Sequence, residues 1–231
     1  GAKFYSFTNG IDTVCRNLTK ELEVHCNAEV HFIEDLDSGY RVHFRKDGQD
    51  DSVDVDKVIV ATTASVAHRL TASLSDKSLS SFQRSFLESQ AYVANVHACF
   101  EIPKLEKPPK ASAVFPSGAG EHTLAALSFH RAKIPPNDDP TELISIFLSN
   151  PGAQRLMGLD DAGLYQQCWS LGREVCPELP EEYQPFHLIR RREAIPVHAV
   201  GRYKMAAKFN QEQEGKSLRF CGDYLSTATV E

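Results

Sequence analysis

The stretch Leu218-Arg219-Phe220-Cys221-Gly222-Asp223-Tyr224-Leu225-Ser226-Thr227-Ala228-Thr229-Val230-Glu231 closes the chain and decides how the rest is read. A short apolar strand runs into Gly-Asp, and hydroxyl residues suited to capping a helix follow within a few positions. Glycine lets backbone approach a ligand closely. An aspartate at the carboxyl end of a buried strand can accept hydrogen bonds from ligand hydroxyls. A helix start beyond it offers unpaired N–H groups and a partial positive charge. Such a corner suits a sugar-like or anionic group at a sheet edge. An ordinary strand, a Gly-Asp turn and a capped helix would read the same way.

Working outward, Val58-Ile59-Val60-Ala61 is continuously apolar and largely β-branched, the pattern of a strand buried on both faces of a parallel sheet. Ahead of it, Ile11, Val14, Cys15, Leu18 and Leu22 recur at helical spacing, with Thr8 or Asn9 as the cap. Strand patterns follow over 29–33, 40–44 and 52–55, with Lys46-Asp47-Gly48-Gln49 as a turn between the last two. Helical spacing returns over 64–74 and 76–89. Four more strand patterns, over 92–100, 111–115, 123–130 and 142–148, are joined by Pro- and Gly-rich connections. Leu164, Cys168, Leu171 and Val175 share one helix face, with Asp160 or Asp161 as cap and Pro177 as stop. A strand over 186–191, a helix or irregular segment over 201–209 and a strand over 217–221 complete the chain. The expected fold class is α/β (α+β): segments of one buried sheet at both ends, with an antiparallel sheet inserted between them.

Composition sets bounds around this. The chain has 231 residues, 25 Lys and Arg against 31 Asp and Glu, and a net charge of −6. A nucleic-acid footprint needs the opposite balance on one face, so no nucleic-acid partner is expected. No apolar run approaches the roughly 20 residues of a transmembrane span, and residues 1–5 lack the basic start of a signal peptide. Six cysteines at irregular spacings, without Cys-x-x-Cys, read as buried free thiols and as no metal site. They suit a reducing compartment, and the expected location is cytoplasmic.

The closing segment resembles the carboxy-terminal flavin motif of the FAD-dependent amine oxidase, protoporphyrinogen oxidase and phytoene desaturase superfamily. In that family a strand runs into Gly-Asp and, a few residues on, Glu-Gly-Ala at a helix start. Phe7-Thr8-Asn9-Gly10-Ile11-Asp12, with Leu18 and Leu22, is similar to its Gly-Gly-x-x-x-Leu helix, Asn9 replacing the first glycine. Asn27-Ala28-Glu29-Val30-His31-Phe32-Ile33 is similar to its adenine-contacting strand. Asp56-Lys57-Val58-Ile59-Val60-Ala61-Thr62 is similar to the Asp-x-Val-Ile-x-Ala strand that returns the chain to the FAD domain. Arg191-Arg192-Glu193-Ala194-Ile195-Pro196, followed by Gly201 and Arg202, resembles the Arg-Trp-x-x-Ala-Ile-Pro…Gly-His segment of the protoporphyrinogen oxidase branch. These five matches, in order, cover nearly the whole chain.

The resemblance implies FAD as cofactor and FAD/NAD(P)-binding-type sheet segments at both ends. It implies that Asp223 bonds the ribityl hydroxyls, Gly222 gives close approach, and the Val230 N–H, after Thr229, faces the flavin pyrimidine. It also implies that Val30 meets adenine through backbone atoms and that Ala61 and Thr62 lie alongside the cofactor. Residues 1–63 would be late FAD-domain elements, 64–200 a substrate domain and 201–231 the return to the flavin. The activity implied is hydride transfer from a small, largely apolar substrate to FAD, with no catalytic side chain required. No Gly-x-Gly-x-x-Gly follows an opening strand, and Arg192 stands where relatives often carry Trp. The N-terminal dinucleotide-binding segment is therefore expected as a missing partner, and this chain alone is expected to bind FAD weakly and to be inactive. The competing class is a cofactor-free ligand-binding or interaction module built on that fold.

The remaining candidates are bland beside these. Arg190-Arg191-Arg192 reads either as a solvated or ion-paired strand end or, through Arg191 and Arg192, as a contact for an anionic substrate. His97, His130 and His198 read as packed or surface residues, the serines over 73–85 as caps, and Trp169 as core.

Overall fold

The structure is a computed structural model that describes residues 10, 12–107, 109, 111–117, 123–132 and 138–226. Helix α1 (Asp12–Leu18) opens it with an Arg16–Asp12 pair one turn apart. Its expected apolar stripe is uncovered: none of its residues is buried, and Leu18 and Leu22 are 70% and 63% exposed. The proposed caps Thr8 and Asn9 lie outside the described residues.

An antiparallel meander follows, β1 (Ala28–Asp35), β2 (Tyr40–Lys46) and β3 (Gln49–Val55), in that spatial order. The β2–β3 hairpin turns on Asp47 and Gly48, with φ of 51° and 81°. Two successive left-handed residues match the twist of the flanking strands, which is why Asp-Gly works there. Arg41 and Arg45 each grip an aspartate across the hairpin, Asp54 and Asp50, and so reinforce the register. The inner face puts Ile33 and Tyr40 into a core.

Strand β4 (Val58–Val60) turns into helix α2 (Ala64–Leu70), followed by α3 (Ser81–Glu88). Both helices are shorter than their periodicity suggests, because hydroxyl side chains intervene. Thr71 turns its Oγ1 back onto the Ala67 carbonyl at 2.8 Å, and Ser80 starts α3 with a complete capping box with Gln83. A carboxylate locks this connection to the meander: Asp35 accepts from the Ser75 N–H at 2.6 Å and the Ser78 hydroxyl at 2.5 Å.

The central sheet is built from β5 (Tyr92–Pro103), β6 (Ala113–Val114), β7 (Leu124–Phe129) and β8 (Thr141–Leu148). Helices α4 (Asn150–Leu156) and α5 (Asp161–Val175) come next, and β9 (Gln184–Pro196) completes the sheet in the order β6-β7-β8-β5-β9, antiparallel throughout. Val96, Phe100, Ile144, Ile146 and Leu127 on one face pack with Leu164, Cys168 and Trp169 of α5. Gly172 permits the contact, since a Cβ there would lie 2.6 Å from Ile146 Cδ1. Strand β9 runs five residues beyond its predicted end at Arg191, through a bulged pairing with the start of β5.

Helix α6 (Arg202–Gln213) follows Gly201, whose φ of 85° favours glycine, and resolves the predicted helix-or-irregular segment as helix. Strand β10 (Leu218–Phe220) then pairs parallel with β4, joining segments 160 residues apart. Two cores result: the one under α5, and one drawn from the meander, α2, α3, α6, β4 and β10. The two-sided burial predicted for β4 is not observed. Val60 is buried but Ile59 is 68% exposed, because among the described residues this sheet has two strands and no cover on that side. Nor are all the cysteines internal. Cys99, Cys168 and Cys176 are buried, whereas Cys15, Cys26 and Cys221 are exposed, and all six are free thiols.

Candidate functional site

The parallel pair brings the two quoted ends of the sequence together. Val58 pairs with Leu218 and Val60 with Phe220, and the Cys221 N–H extends the ladder to the Val60 carbonyl at 3.0 Å. Ala61-Thr62 and Gly222-Asp223 therefore leave the sheet side by side at the carboxyl ends of parallel strands, where open α/β sheets bind ligands. Ala61 and Gly222 are exposed, and Thr62 and Asp223 are half-buried. A Cβ on Gly222 would meet the Tyr224 ring at 2.6 Å and the Thr62 carbonyl at 3.2 Å. Its own neighbours thus demand glycine, whatever lies above.

Three residues not singled out in the sequence complete this corner. Tyr92, at the start of β5, accepts the Ala64 N–H at 3.0 Å and points its hydroxyl at Asp223 Oδ1, 3.5 Å away. Burial pushes its phenol up to about 12, the Asp223 and Glu193 carboxylates adding to the effect and the Ala64 N–H opposing it. Glu193 accepts a 2.5 Å hydrogen bond from Thr63. Tyr224 is fully buried, its hydroxyl has no partner among the described residues, and burial raises its pKa as well. A tyrosine at a strand start and one directly after Gly-Asp were visible in the sequence, but nothing local marks either as converging on Asp223.

The other expected residues separate. Val30 is half-buried in β1, paired with Phe44 just before a bulge at His31, on a different sheet against the same core. Thr229 and Val230 lie outside the described residues. The arginine run divides: Arg190 is tied to α5 through Asp161 at 2.6 Å and to the Leu159 carbonyl at 2.9 Å. Arg191 and Arg192 are exposed, and Arg191 sits opposite Asn95. The ion-paired reading holds for Arg190. His97 and His130 both contact the buried Ser145 hydroxyl, at 2.8 and 2.7 Å, and Trp169 is core. Among the described residues no three His, Cys, Asp or Glu side chains group as metal ligands would.

Comparison with known families decides the assignment, since the model of the flavin containing amine oxidoreductases matches residues 2–231. The chain belongs to that family. Flavin containing amine oxidoreductases are FAD-dependent, and this chain has their mixed α/β architecture. Its fold is similar to that of a candidate protoporphyrinogen oxidase from Exiguobacterium sp. 255-15, at 15% identity and a TM-score of 0.70, covering 95% of this chain and 47% of that one. A redesigned putrescine oxidase gives 18% identity and a TM-score of 0.63 over 94% of this chain and 48% of its own. Reduced UDP-galactopyranose mutase gives 12% and 0.66 over 94% and 46%. The chain thus spans about half the length of these structures. A search of curated proteins finds no match.

The residues present fit a flavin of the family's kind. The exposed Ala61 and the half-buried Asp223 lie at the carboxyl ends of paired parallel strands, and the buried hydroxyl of Tyr224, the next residue, has no partner among the described residues. Among the described residues, no helix is long and apolar enough to cross a membrane.

Proposed function

We propose that this chain is the interior and late part of a flavin-dependent oxidoreductase that oxidises a small, largely apolar substrate. The observation that carries this reading is the convergence of Ala61-Thr62 with Gly222-Asp223 at the ends of β4 and β10, inside a chain of that family. The bound flavin would supply the acceptor for a hydride from the substrate. Asp223 would accept hydrogen bonds from ribityl hydroxyls, with Tyr92 holding its carboxylate. Ala61 and Thr62 would line the same edge, Val30 would meet adenine through its backbone, and the Val230 N–H, after Thr229, would face the flavin pyrimidine. The antiparallel sheet within 64–200 would form the substrate domain, with Arg191 and Arg192 as contacts for any anionic group. The N-terminal dinucleotide-binding segment would be supplied by sequence ahead of this chain. The exposed thiols Cys15, Cys26 and Cys221 suit a reducing, cytoplasmic setting.

The deciding experiment pairs the intact mass of the native gene product with its visible absorbance. A longer chain carrying flavin is the expected result. A native chain of this length without flavin would overturn the reading and leave a cofactor-free binding module.

A further inference from the structure

Two charged side chains are buried among the described residues, Glu142 and Arg202. Glu142 has its counter-charge, Arg131, at 3.2 Å. Arg202, only 2% exposed, has no carboxylate within ion-pair distance among the described residues. Its Nη2 donates to the Asp223 carbonyl at 2.6 Å and the Ser226 carbonyl at 3.2 Å, and its Nη1 to His198 Nδ1 at 3.0 Å. Nε has no partner. The Asp223 carboxylate turns instead towards Tyr92.

Burying a guanidinium is costly unless an opposite charge offsets it. Two carbonyls and an imidazole lower that cost but leave the charge in place. A neutral donor could fasten the same carbonyls without burying a charge, so pinning the loop does not explain why the group is cationic. The guanidinium is hydrogen-bonded to the backbone of Gly222–Ser226, the loop that the proposed function gives to the flavin. Two-electron reduction of a flavin at neutral pH takes up one proton and leaves one negative charge on the ring, so a nearby fixed cation favours the reduced form.

We propose that Arg202 is a positioning residue that holds the Gly222–Ser226 loop while its charge, without a carboxylate partner among the described residues, stabilises the reduced, anionic flavin over the oxidised one. The inference rests on the flavin reading above. Its test is the midpoint potential of the intact, flavin-loaded native gene product, measured by anaerobic reduction against a reference dye.

Wild type should lie above free flavin. Arg202→Gln, which keeps donors but loses the charge, should reduce the preference for reduced over oxidised flavin about tenfold, a fall of about 30 mV for a two-electron couple. Arg202→Lys should recover most of that loss. Equal weakening of both oxidation states with an unmoved midpoint would reduce Arg202 to a structural pin and overturn the proposal. If neither variant folds, the wild-type midpoint decides: at or below free flavin it overturns the idea, above it supports it. A wild type without flavin removes both readings, whereas a flavin-loaded wild type with an unmoved midpoint in Arg202→Gln removes only this one.

Discussion

Asp223 is the residue on which the proposed flavin site depends most. A hydrogen bond to a charged acceptor contributes about 1.5–3 kcal/mol, so Asp223→Ala in the intact protein should weaken FAD binding roughly ten- to a hundredfold. Equilibrium flavin titration measures this, and unchanged affinity would remove Asp223 from the site. Tyr92 makes a separate prediction about pH. Its phenol ionises near the ordinary 10 when unfolded but at about 12 when folded, so its contribution is intact below pH 10 and is lost as pH rises towards 12. Tyr92→Phe should flatten that part of an alkaline unfolding profile followed by circular dichroism; an identical slope would place the loss elsewhere. For Arg191, charge reversal should raise KM for anionic substrates and leave neutral ones little changed. Equal effects on both would mark a structural role. Asp223 was legible because Gly-Asp after a strand is a local pattern. Tyr92, Thr63 and Glu193 were not, because their relation to the site runs through contacts 28 to 131 positions apart.

Among the elements, those whose boundaries are set by local chemistry followed the sequence best. The meander kept its strands because Asp47-Gly48 supplies the turn, and α5 starts where Asp160 bonds the Gly163 N–H at 2.8 Å. Helices α2 and α3 came out shorter because apolar spacing carries no stop signal, whereas Thr71 and Ser80 do. Ser80 also donates to Glu212 of α6 at 2.5 Å, so one hydroxyl joins two helices. Ser80→Ala should cost about 1–2 kcal/mol, read as a lower midpoint in urea with an unchanged slope. A shift well below about 0.5 kcal/mol would mean that the cap does not hold α3. At the other end, β9 overran its prediction because its last residues are paired by β5, and no local pattern in Arg192-Glu193-Ala194 reports that partner.

Across the whole molecule, the two cores meet at the start of β5 and the end of β9, where Tyr92, Thr63 and Glu193 link one sheet to the other. Apolar side chains remain uncovered at two places: Ile59 on the parallel pair is mostly exposed, and so are Leu18 and Leu22 at and after the end of α1. Lys57, Lys216 and Arg219 rim a cleft of about 360 Å³ next to Ile59. Exposed apolar side chains on an uncovered sheet face favour association. The isolated 231-residue chain should therefore self-associate in sedimentation velocity, and Ile59→Lys should shift it towards monomer. A monomer at every concentration tested would show that this surface is stable in water.

By itself the sequence determined the kinds of element present, the turns between them and the family, because these rest on local spacing: Gly-Asp after a strand, Asp-Gly in a hairpin, β-branched runs, capping hydroxyls. Tertiary structure alone decided which residues converge at the candidate site and which charges lack a counter-charge among the described residues. Arg202 reads as a surface arginine in any window of sequence. It is buried because α6 packs against a loop that lies some twenty residues further on, and Ile59 is exposed because, among the described residues, no element covers its face of the two-stranded sheet. Burial and pairing are properties of the assembled chain, and local periodicity carries no record of what finally covers a given face.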